Sequence, residues 1–151
     1  MRRRMALALT AVFVGAAAVA GYAVLRPQPA AAREIVVYAS PDCGCCHGWV
    51  SYLRRHDIGV VVKLEEDVYP TKDRLAVPDD LRSCHTAEIE GYVVEGHVPL
   101  EAIETLLRDR PKIAGIASPG MPSGAPGMDG PKEPNPIFGF GGGVTMPLGV
   151  Y

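Results

Sequence analysis

The segment 33–151 predicts an α/β layered fold. Apolar runs rich in β-branched residues alternate with amphipathic stretches in the order β-α-β-α-β-α. Gly and Pro punctuate the boundaries between them. Residues 33–40, centred on Ile35-Val36-Val37-Tyr38, read as the first strand. Pro41-Asp42 breaks it, and Asp42 is expected to cap a helix that begins near Cys43 and runs to about His56. Trp49, Val50 and Leu53 supply that helix with its apolar stripe, and Trp49 is expected to pack in the core without chemistry of its own.

Ile58-Gly59 ends the unit. Residues 60–64 form a second strand, apolar enough to be buried, and residues 72–76 a short helix stopped before Pro78. Residues 89–94 are a third strand. Gly96-His97-Val98-Pro99 leads into a helix over 100–108, with Pro99 at its first turn and Ile103, Leu106 and Leu107 on one face. Residues 117–136 are a long Gly/Pro/Met-rich loop, and loops of this length are functional or disordered. Residues 138–151, with Gly141-Gly142-Gly143 at their centre, close the chain as a hairpin.

The chain has 151 residues, and the first 32 read as a separate segment. Met1-Arg2-Arg3-Arg4 precedes an apolar run from Met5 to Leu25, and Ala30-Ala31-Ala32 offers a small-residue cleavage site. These are the parts of a signal peptide over 1–32, cleaved after Ala32. The alternative is an N-terminal membrane anchor, because an uncleaved run of about 20 apolar residues spans a bilayer. In both cases the domain 33–151 is expected outside the cytoplasm, and it meets a membrane only if the leader stays attached. Four of the 15 basic residues lie in the leader, which leaves 11 against 17 acidic ones, a net charge of −6 (11 − 17). That balance argues against a nucleic-acid partner, which selects a basic surface.

All four cysteines are placed as if for one site. Cys43-Gly44-Cys45-Cys46 puts three thiols at a helix start, where the positive end of the helix dipole favours thiolate, and Cys84 is the fourth. Strand, then Cys-x-x-Cys, then helix is the arrangement of thioredoxin-like redox proteins. A thiol–disulfide oxidoreductase using the Cys43-x-x-Cys46 pair is therefore one reading. The third thiol, Cys45, favours the other, because an exchanger needs two cysteines whereas every added thiolate serves a metal cluster. Adjacent cysteines suit two neighbouring metal atoms better than one. Clustered thiolates beside His and Met in an exported domain point to Cu(I), with zinc as the alternative metal. Two structural disulfides are the remaining reading.

Further candidate ligands are His47, His85 and His97, each beside or near a cysteine or a strand end, and the thioethers Met121 and Met128 on the long loop. His56 lies in the charged run Arg54-Arg55-His56-Asp57 and reads as an ordinary exposed histidine.

Taken together, Cys43-Gly44-Cys45-Cys46 with Trp49, Ser83-Cys84-His85-Thr86-Ala87, Gly91-Tyr92-Val93-Val94-Glu95-Gly96-His97-Val98-Pro99, and the paired Pro-Gly-Met motifs at Met121 and Met128 resemble the CopG-type copper-resistance proteins of the bacterial periplasm. The resemblance covers residues 35 to about 128. It implies a single thioredoxin-like domain in the periplasm, with Cys43, Cys45, Cys46 and Cys84 as thiolates of a multinuclear Cu(I) cluster. It also implies interconversion of Cu(I) and Cu(II), and copper ions and other periplasmic copper-handling proteins as partners. The Gly-rich segment 138–143 departs from the strand and acidic turn that the family pattern has there.

Overall fold

The computed structural model describes residues 33–151; the expected leader, 1–32, lies outside the described residues. These form a mixed α/β structure of seven strands in one sheet and three α-helices. In chain order the elements are β1 (Glu34–Ala39), α1 (Gly44–Arg55), β2 (Gly59–Leu64), α2 (Tyr69–Arg74) and a 3₁₀ turn (Asp79–Leu81). Then come β3 (Thr86–Ile89), β4 (Tyr92–Gly96), α3 (Leu100–Asp109), β5 (Gly115–Ser118), β6 (Pro136–Gly141) and β7 (Val144–Val150). The sheet runs β2-β1-β3-β4-β5-β6-β7. β1 pairs β2 in parallel and β3 antiparallel; β4 pairs β5 in parallel, and the β3–β4, β5–β6 and β6–β7 pairs are antiparallel. No helix among the described residues is long and apolar enough to cross a membrane.

Each face of the sheet has its own cover. Period-two alternation sends Val94 and Ile116 to one side and Val93 and Ala117 to the other. On the first side α1 contributes Cys46, Trp49, Val50 and Leu53, spaced three, four and seven residues from Cys46, so all lie on one helical stripe. α3 adds Leu100, Ala102, Ile103, Leu106 and Leu107. Both helices join Ile35, Val37 and Ala39 of β1 in one apolar core. On the opposite side Val77 and Leu81, from the segment around the 3₁₀ turn, pack with Phe140.

Four expectations need correction. Asp42 does not cap α1: the N-cap residue is Cys43, and no side chain bonds the free N–H groups of the first turn. β2 is not buried, because it is the edge strand with one neighbour, and Val61 and Leu64 stay exposed. The expected third strand is a hairpin of two, β3 and β4, folded at Glu90-Gly91 with both residues at positive φ. The short helix lies over Tyr69–Arg74, with Pro70 in its first turn, ahead of the expected span. The closing hairpin is present as β6 and β7.

Candidate metal centre

Sheet topology brings the four cysteines together. β1 runs antiparallel to β3, and β3 to β4, with Tyr38 opposite Thr86 and Thr86 opposite Glu95. The end of β1, the start of β3 and the end of β4 therefore meet at one end of the sheet. The first leads into Cys43 and α1, the second is preceded by Cys84-His85, and the third is followed by His97.

In this structure Cys43 and Cys46 form a disulfide, with Cα atoms 5.3 Å apart. Cys43 is the N-cap of α1 and Cys46 lies in its first turn, which puts the Cys-x-x-Cys pair within disulfide reach. Cys45, between them in sequence, stays outside the bond but close to it. Its Sγ is 3.5 Å from Cys43 Sγ and 3.6 Å from Cys84 Sγ, and Cys45 and Cys84 are free thiols. Cys84 Sγ in turn is 3.1 Å from His97 Nε2 and 3.3 Å from His85 Nδ1. Two donor groups result, Cys43-Cys45-Cys46-Cys84 and Cys84-His85-His97, and within each the ligand atoms lie within 4.8 Å of one another. Cys84 belongs to both.

The two imidazoles are in the form that suits a metal ion, whereas the Cys84 thiol must lose its proton to bind one. His85 is fully buried, and burial, then the charges of His97 and Lys72, hold its pKa well below the usual histidine range. Burial lowers His97 too, partly opposed by its bond to Pro126. Both imidazoles are thus neutral, the form that binds metals. The Cys84 thiol is pushed up to about 12, mainly by burial and then by Cys45, so without a metal it keeps its proton at neutral pH.

Main-chain and aromatic groups orient the histidines. His97 Nδ1 lies 2.8 Å from the carbonyl of Pro126. A carbonyl only accepts, so Nδ1 carries the hydrogen and Nε2 turns its lone pair towards Cys84. The His85 ring packs between Trp49, centroids 4.6 Å apart, and His97, 5.0 Å and edge-on. Trp49 donates Nε1–H to the Val98 carbonyl at 2.9 Å, fixing α1 to the segment that carries His97. Its packing role is as expected, and it also forms a wall of the site.

His47 follows Cys46 in sequence but lies outside both donor groups, its Nε2 3.0 Å from the Pro41 carbonyl. One step along a helix turns a side chain by about 100°. Met121 is exposed and Met128 half-buried on the long loop. That loop is ordered by specific contacts. Ser83 Oγ donates to the Gly120 carbonyl at 2.5 Å, and Asn135 Nδ2 to the His97 carbonyl at 3.1 Å. Gly127 at φ +84° packs on the backbone of Gly48 and Trp49, so closely that a Cβ on either glycine would strike the other segment. Gly127→Ala is therefore expected to lift the loop from α1. Left-handed backbone alone costs an L-residue about 1–2 kcal/mol, and the clash adds to it. Faster proteolysis within residues 119–135 and a lowered melting temperature are the readouts; wild-type values for both would show that the contact is dispensable.

The Pro126 carbonyl, the Gly48–Gly127 contact and a buried Lys72–Glu95 pair beside Cys84 were not anticipated from the sequence. A charged Glu95 directly after the apolar run Tyr92-Val93-Val94 is the one available signal for the last of these.

A family model described as a protein of unknown function, DUF411, matches residues 81–128, the stretch that carries Cys84, His85, His97, Met121 and Met128. Among curated proteins none matches the chain. Two solved structures of copper resistance protein CopG are similar at 38% identity. Form 2 superposes with a TM-score of 0.74 over 79% of this chain and 98% of that one. Form 1 gives 0.73 over 78% and 96%. The similarity extends across nearly the whole of those chains at well above chance identity: the chain belongs to the CopG copper-resistance family.

Proposed function

We propose that this protein is an exported, periplasmic copper-binding protein that holds Cu(I) on the thiolates of Cys43, Cys45, Cys46 and Cys84 as a multinuclear cluster. The observation that carries the reading is the convergence of four sulfurs and two neutral imidazoles from three segments on one end of the sheet. A copper-related function agrees with the CopG relatives. The element order β1-α1-β2, then the β3–β4 hairpin and α3, supports a thioredoxin-like core extended by β5 to β7. His85 and His97 extend the donor set on the Cys84 side. Thiolates suit Cu(I) and imidazoles suit Cu(II), so a set with both supports passage between the two oxidation states, one electron going to a partner's acceptor. Other periplasmic copper-handling proteins are the partners of this reading, and a membrane is one only if the leader is retained.

Anaerobic titration of the reduced protein against a competing Cu(I) chelator tests it. More than one Cu(I) is expected per chain; saturation at one zinc-preferring site with no copper retained would sink the reading. The pH dependence has a definite sign. Cys84 holds its proton up to about pH 12, so copper displaces that proton and acid competes with it. The histidines stay neutral below their usual range and add little competition at neutral pH. Apparent Cu(I) affinity should rise between pH 6 and 8, by about one log unit per pH unit for each thiol proton displaced. A flat profile would show that Cys84 is no ligand.

One observation favours a second reading. The closed Cys43–Cys46 disulfide is the product state of a dithiol exchanger, in which half-exposed Cys43 attacks and buried Cys46 resolves. Zinc in place of copper is the other alternative that the titration separates.

A further inference from the structure

A buried carboxylate straddles the Cys84-His85 dipeptide. Glu95 is 0% exposed and its partner Lys72 is 1% exposed. Glu95 Oε1 accepts from the Ser83 backbone N–H at 2.6 Å and from Lys72 Nζ at 2.7 Å. Oε2 accepts from Thr86 Oγ1 at 2.5 Å, and Thr86 Oγ1 also accepts from Lys72 Nζ at 2.8 Å. One carboxylate thus holds the residue before Cys84 and the residue after His85. It does so from β4, where Gly96 ends the strand and His97 follows, and Gly96 N–H bonds the His85 carbonyl at 3.0 Å.

A buried ion pair is weak evidence for stability. Removing two charges from water costs several kcal/mol per ion, and replacing a buried ion pair by apolar residues is often neutral or stabilising. What the pair adds is geometry. The short segment Ser83-Cys84-His85 lies outside regular structure, yet it must hold one sulfur within contact of Cys45 and His97. A neutral side chain at Glu95 would not accept from three donors at once.

We propose that the Lys72–Glu95 pair is a positioning device: Glu95 staples Ser83 and Thr86 to β4 and so sets Cys84 Sγ against Cys45 and His97, while Lys72 from α2 neutralises the buried carboxylate. The inference deepens the copper reading and rests on Cys84 being a ligand. Neither residue touches the metal; both act through the placement of Cys84.

The test uses a probe of sulfur placement that involves no copper. In the full chain with the Cys43–Cys46 disulfide closed, the free thiols among the described residues are Cys45 and Cys84. Phenylarsine oxide condenses with two close thiols, forming two As–S bonds and releasing one water, and intact mass reports the adduct. Wild-type protein should capture one arsenical. Glu95→Gln, folded by circular dichroism, should capture it at least tenfold more weakly, and its reduced form should lose Cu(I) affinity by a similar factor. Lys72→Met combined with Glu95→Leu removes the staple and leaves no buried charge unpaired. If Glu95→Gln does not fold, this double variant carries the test. It should keep a near wild-type melting temperature and show the same weak capture, which a merely structural pair would not produce. Undiminished arsenical capture by either folded variant would overturn the proposal. Weak capture by the variants together with no copper binding by wild type would uphold the staple and overturn the copper reading alone.

Discussion

Reduction of the Cys43–Cys46 disulfide should switch copper binding on. Two of the four sulfurs in the larger donor group are joined in this structure and offer no thiolate. What remains is Cys45 and Cys84, with His85 and His97 on the far side of Cys84. Cu(I) needs thiolate, and a disulfide sulfur is at best a weak neutral donor. The oxidised protein should therefore hold at most one Cu(I), on the Cys45–Cys84 side, whereas the reduced protein holds more than one. Disturbing even the outer partners of a metal site costs about 10–100-fold in affinity, so losing two thiolates should cost at least that.

The effect should be reversible, because Cys43 at the N-cap of α1 and Cys46 in its first turn are near neighbours, with Cα atoms 5.3 Å apart in the closed form. Parallel anaerobic titrations of the two forms would measure the switch, with alkylation and mass spectrometry assigning the thiols in each. Equal copper binding by the disulfide form would show that Cys43 and Cys46 are not ligands. The Cys45–Cys84 pair would then be the whole thiolate site.

Helices α1 and α3 and the first strand were readable because each carries a local period that packing respects. The misread elements depended on neighbours. Val60-Val61-Val62 has the composition of a central strand, yet strand order puts it at the sheet edge, where α1 covers it only in part. The Glu90-Gly91 turn was missed because Glu at positive φ lacks the Asn-Gly or Asp-Gly signature of a two-residue hairpin. Ala117 and Ser118 of β5 fall in the expected loop 117–136, because Gly115-Ile116-Ala117-Ser118 is only four residues long and pairing with β4 and β6 decides its state.

The site divides in the same way. Three thiols in four residues are legible as they stand. That Cys84 joins them is expected from the Ser83-Cys84-His85 motif, and β1–β3 pairing is the tertiary fact that brings it there. His47 looked as good as His85 by adjacency to a cysteine, and only helix phase separates them. The Pro126 carbonyl that orients His97 is a backbone group, which any residue carries, and so it leaves no trace in residue type.

Cys84→Ser should produce the sharpest loss. The substitution is close to isosteric and leaves Cys43, Cys45 and Cys46 in place at the start of α1. It removes the one sulfur that comes from another segment, and with it the atom common to both donor groups. A dithiol exchanger should tolerate it, because the attacking and resolving thiols of Cys43-x-x-Cys46 both remain. A four-thiolate copper site should not. Its bound copper should fall, and the two imidazoles should lose their link to the cluster.

Stability should report the same event. A ligand at a hundredfold excess over Kd stabilises the state that binds it by about 2.7 kcal/mol, which for a domain of this size is a rise in Tm of about 10 °C. In the wild type copper ties α1 to the segment before β3, so the rise should be present. In the variant copper bound on α1 alone ties nothing across the sheet, and most of the rise should vanish. Calorimetry with and without Cu(I), beside copper content by atomic absorption and a disulfide-exchange assay, separates the cases. Unchanged copper content would mean that Cys43, Cys45 and Cys46 act alone. Lost exchange activity with unchanged copper would mean that Cys84 serves thiol chemistry instead.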